Sequence, residues 1–187
     1  MNDTALVQLR DSFLKANPTV LPIELCWEAK TDREEAFLAR IKCVGYYRPH
    51  YAVVVRARCT LPGRGYSWPR HCSDRTELGV LAHEMGHHVH QSLPWARQEE
   101  LRKTFPRKGL AVTGYEPNVD ESIAESFRLF CLNPDLLYEG RRPRYNFFEQ
   151  EMKLNPIENR DWQQALGGNV PRRILDAAER WLARRKQ

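Results

Sequence analysis

Glu77-Leu78-Gly79-Val80-Leu81-Ala82-His83-Glu84-Met85-Gly86-His87-His88-Val89-His90 is the stretch from which the rest of the chain is read. Leu78, Leu81, Met85 and Val89 recur at helical spacing, and at about 100° per residue His83, His87 and His90 point nearly the opposite way. Ser73 and Asp74 are good N-cap residues, and Glu77 follows Asp74 at capping-box spacing. The pattern predicts a helix with a core face and a histidine face. Within it, His83-Glu84-Met85-Gly86-His87 is an H-E-x-x-H pentapeptide. Two histidines four apart stand one above the other on a helix, where both imidazoles reach one zinc ion. Glu84 then sits beside the metal, placed to take a proton from metal-bound water. The bland alternative is a surface helix with solvated histidines, but such a helix has no reason to segregate them.

A catalytic zinc usually takes three protein ligands and leaves one position for water. The six histidines are His50, His71, His83, His87, His88 and His90, so none lies beyond His90. The longer H-E-x-x-H-x-x-G-x-x-H pattern needs glycine at 90 and histidine at 93, where this chain has His90 and Leu93. Three ligands on consecutive turns of one straight helix cannot meet at one small ion, which removes His90. A carboxylate remains. Asp120-Glu121-Ser122-Ile123-Ala124-Glu125-Ser126-Phe127 supplies it, on a second predicted helix capped near Asn118 or Asp120. Ile123, Phe127 and Phe130 form its apolar stripe, and Glu121 and Glu125 share another face. Glu121 is assigned as ligand. Glu125 stands behind it, accepting a hydrogen bond from a ligand histidine and fixing its tautomer. The competing reading has both carboxylates solvated and paired with Arg128.

This pairing of a zinc helix with Glu-x-x-Ala-(acidic)-x-Phe on a second helix resembles the gluzincin metallopeptidases. Among them it is most similar to the compact bacterial and prophage-encoded zinc peptidases. The resemblance covers residues 50–135. It implies His83, His87 and Glu121 as ligands, Glu84 as general base and Glu125 as the outer partner. Glu125 departs from the pattern, which more often has Asp or Asn there; its longer side chain keeps open the alternative that Glu125 itself is the ligand.

At 187 residues, with 42% hydrophobic and 28% charged residues, the chain reads as a single globular domain spanning 1–187. No apolar run reaches transmembrane length and no signal-peptide pattern opens it, so a soluble, cytoplasmic protein without membrane partners is expected. Five scattered cysteines without C-x-x-C fit free thiols. Cys59, His71 and Cys72 are a less favoured second metal site, their spacing being unlike that of zinc knuckles. Residues 4–15 and a segment from Thr31 to Ile41 read as helices, Ile23–Trp27 as a short strand, and Tyr51–Arg58 as the best strand. In the resembled class the strand before the zinc helix borders the cleft, which makes Tyr51–Arg58 the expected edge for an extended substrate. Leu61–Arg70, rich in Pro and Gly, reads as a loop.

Asn133-Pro134 restarts a helix after Leu132. Beyond it, Tyr145 and Arg144 are candidates to stabilise an oxyanion near the metal, with Tyr115 and His90 behind them. The net charge of +5 is concentrated in residues 141–187. There Ile174, Leu175, Ala178, Trp181 and Leu182 predict a helix, 170–187, docked on the domain with a solvated basic face. The fold class expected is α+β: a small N-terminal sheet, the zinc helix and a mainly helical C-terminal half. The function expected is zinc-dependent hydrolysis of a peptide bond in a protein or peptide substrate, with Zn2+ as cofactor. Two alternatives are a non-catalytic zinc-stabilised protein that binds nucleic acid or a partner through its basic C-terminal region, and a peptidase toxin or effector. Glu84 favours an enzyme, because a structural zinc site has no need of a base between its ligands.

Overall fold

The structure, a computed structural model, describes residues 3–26, 31, 33, 36, 37, 40, 43–55, 58, 59 and 75–158. Ser73, Asp74, His71, Cys72, the loop 61–70, most of 31–41 and the basic segment 170–187 lie outside the described residues. The chain is α+β and mainly helical. In order come α1 (Asp3–Ala16), β1 (Glu24–Cys26), β2 (Gly45–Arg48), β3 (Tyr51–Val54), α2 (Glu77–Gln91), α3 (Trp95–Thr104), α4 (Val119–Leu132) and α5 (Pro134–Asn146). A single π-helical turn, Phe147–Glu151, continues α5. Among the described residues no helix is long and apolar enough to cross a membrane. The described cysteines, Cys26, Cys43, Cys59 and Cys131, are free thiols.

Helix α1 buries Leu6, Leu9 and Phe13, a stripe at helical spacing, and Phe13 meets Phe127 of α4 edge-on at 5.2 Å. The sheet has the order β1-β3-β2. β3 pairs in parallel with β1 and antiparallel with β2. Pro49 and His50 form the two-residue turn between β2 and β3, and His50 takes the positive φ of 70° that closes it. Sequence reading expected Tyr51–Arg58 as an edge strand. Instead β3 is central, and its Ala52, Val53 and Val54 are all buried, as a strand covered on both faces must be. Among the described residues, the edge strand against α2 is β2.

Helix α2 is capped by Thr76, whose Oγ1 accepts from Gly79 N at 3.1 Å, two residues later than the expected cap at Asp74. Every residue from Glu77 to His90 is buried. The apolar face meets the core and the sheet, and α4 covers the histidine face. Gly86 makes that coverage possible. A Cβ there would lie 2.8 Å from Ala124 Cα and 3.0 Å from Phe127 Cβ, so only glycine lets the two helix backbones approach this closely. Helix α4 is capped by Asn118, which accepts from Glu121 N at 2.9 Å. Asn133 caps α5 by accepting from Leu136 N at 3.2 Å, with Pro134 in the first turn. Arg141 breaks α5 with φ −146° and ψ 53°, and Pro143 follows.

Candidate metal centre

Close packing of α2 on α4 brings four candidate side chains together, His83, His87, Glu121 and Glu125. His83 Nε2 lies 3.1 Å from Glu121 Oε2, and His87 Nε2 lies 3.5 Å from Glu121 Oε1. The two Nε2 atoms are 3.2 Å apart. Among the described residues, these three side chains form a group whose donor atoms all lie within 4.8 Å of one another. Behind them, His83 Nδ1 is 2.7 Å from Glu125 Oε1. Glu125 is fully buried, and its other oxygen accepts from Arg128 at 2.9 Å. Arg128 is thus on the side of α4 that sequence reading gave it, but it holds Glu125 in the interior, 1% exposed, rather than at a wet surface.

Hydrogen-bond chemistry tests whether a cation suits this group. A carboxylate only accepts, so Glu125 makes His83 Nδ1 the donor. In the neutral imidazole, His83 Nε2 then carries a lone pair. That lone pair faces Glu121 Oε2, a buried oxygen that meets no donor while the histidine is neutral. Such a convergence of acceptors repels unless something positive sits among them. In the metal-free chain that charge is a proton. Burial disfavours it, but the Glu121 and Glu125 carboxylates prevail and hold His83 up at about 10. Conversely, burial pushes Glu121 and Glu125 up, but His83 and His87 draw Glu121 far below the usual carboxylate range. Arg128 and His83 do the same for Glu125. Two imidazoles and a carboxylate in this arrangement fit a zinc ion in donor type and number.

Glu84 lies on α2 between the two histidines, 6% exposed. Burial raises its carboxyl; His83 and His87 pull it down without offsetting that, and Glu121 and Glu125 push it further up. Gly45, at the start of the edge strand β2, leaves the space Glu84 occupies. A Cβ on Gly45 would lie 3.1 Å from Glu84 Oε1 and 2.8 Å from Val53 O, and would overlap Val80.

Of the oxyanion candidates, the structure does not bring Tyr145 to this cluster. Its hydroxyl faces Glu149 at 3.4 Å, and its ring packs on Phe130 and Tyr138. Phe130 is nine residues past Glu121, about half a turn around α4, so a side chain against Phe130 lies on the far side of the helix from the carboxylates. Arg144 is buried against Glu116, Ser126 and Pro106. His90 faces Gln98 O and Asp120, and His88 bonds to Leu21 O at 2.8 Å. The phenol at the site is Tyr115, whose ring centroid is 6.1 Å from that of His83. It is 48% exposed. Burial raises its pKa, with Glu121, Glu84 and Glu125 adding to the effect.

Sequence reading left out Gly45 and Gly86. Gly86 carried a legible signal, a glycine inside a helix where it costs about 1 kcal/mol against alanine and so calls for a packing reason. Comparison with protein-family models, curated proteins and solved structures finds no match for this chain.

Proposed function

We propose that the chain is a zinc-dependent peptidase of gluzincin type. One observation carries this reading: two histidine Nε2 atoms and the Glu121 carboxylate converge within 4.8 Å of one another, with a buried carboxylate, Glu84, on the same helix turn. His83, His87 and Glu121 would hold the ion, and Glu125 keeps His83 in the tautomer that offers Nε2. Zinc, when bound, supplies a Lewis acid that polarises a carbonyl and acidifies water. Glu84, whose carboxyl burial raises above its ordinary value, takes the proton of the attacking water and passes it to the leaving amine. Tyr115 is the donor best placed to meet negative charge developing on the carbonyl oxygen.

The edge strand supports a peptide substrate in extended form. Val55 N donates to Val44 O, so the alternation of an antiparallel ladder turns Tyr46 and Arg48 toward β3 and Gly45 and Tyr47 toward the outer edge. A peptide pairing with that edge passes beside Glu84 at Gly45.

Glu84→Gln tests the reading. It leaves His83, His87 and Glu121 in place, so the variant should keep about one zinc per chain, while hydrolysis falls by roughly a hundredfold or more, the scale of a lost general base. Metal analysis together with mapping of cleaved protein termini in cells expressing each form decides it. A fully active Glu84→Gln variant would show that the mechanism is wrong.

A further inference from the structure

Helix α3 offers the core one buried residue, Leu101, and leaves Trp95 exposed at its start. It is fastened chiefly by polar bonds, and these run to both helices of the candidate centre. Gln98 donates through Nε2 to Gln91 O at 3.1 Å and to Leu93 O at 2.7 Å, meeting carbonyls that the end of α2 leaves open. One turn on, Arg102 donates to both oxygens of Asp120 in α4, from Nε to Oδ1 at 2.8 Å and from Nη2 to Oδ2 at 3.1 Å. Its Nη1 donates to Glu99, one turn back on its own helix. The His90 ring of α2 joins the two links, with Nε2 3.3 Å from Gln98 O and Nδ1 3.4 Å from Asp120 Oδ1.

Asp120 is the residue before Glu121. Both stand in the first turn of α4, where Asn118 caps the helix by accepting from Glu121 N at 2.9 Å. Helices fray from their ends, because the amides of the first turn have no carbonyl partner within the helix. Glu121 therefore projects from the turn of α4 that most needs an outside hold. The Arg102 fork supplies one: a planar guanidinium on both carboxylate oxygens fixes orientation as well as distance. Successive helix residues are about 100° apart, so holding Asp120 fixes the rotation of this turn about the helix axis, and that rotation decides where Glu121 points. Asp120 also meets α2 at His90, one turn past His87, so the turn is held against the same helix that carries both histidines. We propose that Arg102 is a positioning residue of the metal centre: by holding Asp120, it sets Glu121 against His83 and His87. The proposal rests on the metal reading for its consequence and on the geometry of α2, α3 and α4 for its mechanism.

The full chain with Arg102→Met tests it, by two readouts that need no substrate. Zinc affinity, measured by competition with a chelating indicator, should fall by about tenfold, the lower end of what is lost when a ligand's outer support is disturbed. The sign is informative. Arg102 carries a positive charge, so its loss by charge alone would strengthen the binding of a dication. Arg97→Met is the matched control. It removes the same charge from the same helix, together with bonds to Glu151 O and Glu100, each at 2.7 Å, and should leave zinc affinity as in the wild type. In metal-free protein, hydrogen exchange at the Glu121 and Ser122 amides, both bonded to Asn118, should quicken by about fivefold in Arg102→Met while the amides of α2 keep their protection. Unchanged or tighter zinc binding in Arg102→Met, an equal fall in Arg97→Met, or unchanged exchange at Glu121 and Ser122 overturns the proposal. Should Arg102→Met fail to fold, Arg102→Lys, which keeps the charge and loses the two-point grip, decides by the same measurements. A wild-type protein that binds no zinc would instead sink the metal reading, a separate outcome from the exchange result.

Discussion

Glu121 and Glu125 share a face of α4 one turn apart, yet their surroundings give them different work. Glu121 is partly exposed and turns both oxygens toward the two Nε2 atoms. Glu125 is sealed in, with one oxygen on His83 Nδ1 and the other on Arg128. Removing each should therefore have a different effect. Glu121→Ala takes away a proposed ligand and should reduce zinc binding and hydrolysis together. Glu125→Gln keeps the shape and an acceptor oxygen but loses the charge that balances Arg128, and should weaken zinc by about ten- to a hundredfold. Zinc titration of the two variants separates the roles. Complete loss of metal in Glu125→Gln, with retention in Glu121→Ala, would reverse the assignment and favour the alternative that Glu125 is the ligand.

At the scale of the elements, the site depends on how closely α2 lies on α4. Gly86 and Ala124 set that distance. Gly86→Ala gains up to about 1 kcal/mol of intrinsic helix propensity. It also drives a methyl into the Ala124 backbone, and overpacking of this kind costs about 1–3 kcal/mol. The expected result is a lower melting temperature and weaker zinc binding, because spreading the helices draws Glu121 away from His83 and His87. A Gly86→Ala protein that melts higher and keeps its zinc affinity would show that the close approach is not needed. Substitution at Gly45 acts on the other side of the site, where a side chain meets Val53 O and crowds Glu84.

For the whole molecule, the cluster links folding to pH and, on the proposed reading, to metal. In the metal-free fold His83 titrates at about 10, above its ordinary 6.5. Its pairing therefore stabilises fully below pH 6.5 and is lost as pH rises through about 10. Glu121 and Glu125 are held below the ordinary 4.5, so their contribution is present above that value and is lost as pH falls. From these groups, chelator-treated protein should be most stable between about pH 4.5 and 6.5 and should melt progressively lower toward pH 10. On the proposed reading bound zinc would take the place of the His83 proton, so saturating zinc should remove most of the alkaline loss, and the stabilisation by zinc should grow with pH. At a free zinc concentration about 1,000 times Kd, that stabilisation is about 4 kcal/mol. Thermal melts with and without chelator across this range check the sign; a zinc shift that shrinks as pH rises from about 6 to 9 would contradict it.

Much of this was legible from residue spacing because it is local. The identity of α1, α2 and α4, and the common face of His83 and His87, follow from a period of 3.6 residues and need no partner to be stated. The restart of the chain at Asn133-Pro134 follows from backbone chemistry alone. The remainder depended on contacts between residues far apart in sequence. β3 is central because β1 and β2 both pair with it, and strand pairing is not encoded within Tyr51–Val54. Tyr115 reaches His83 and Tyr145 does not: the Tyr115 ring stands beside that of His83, while Tyr145 of α5 packs on Phe130, on the opposite side of α4 from the carboxylates. Both phenols are plausible in a linear reading. The tertiary packing separates them, since a side chain's neighbours across space are set by which helix faces are buried together.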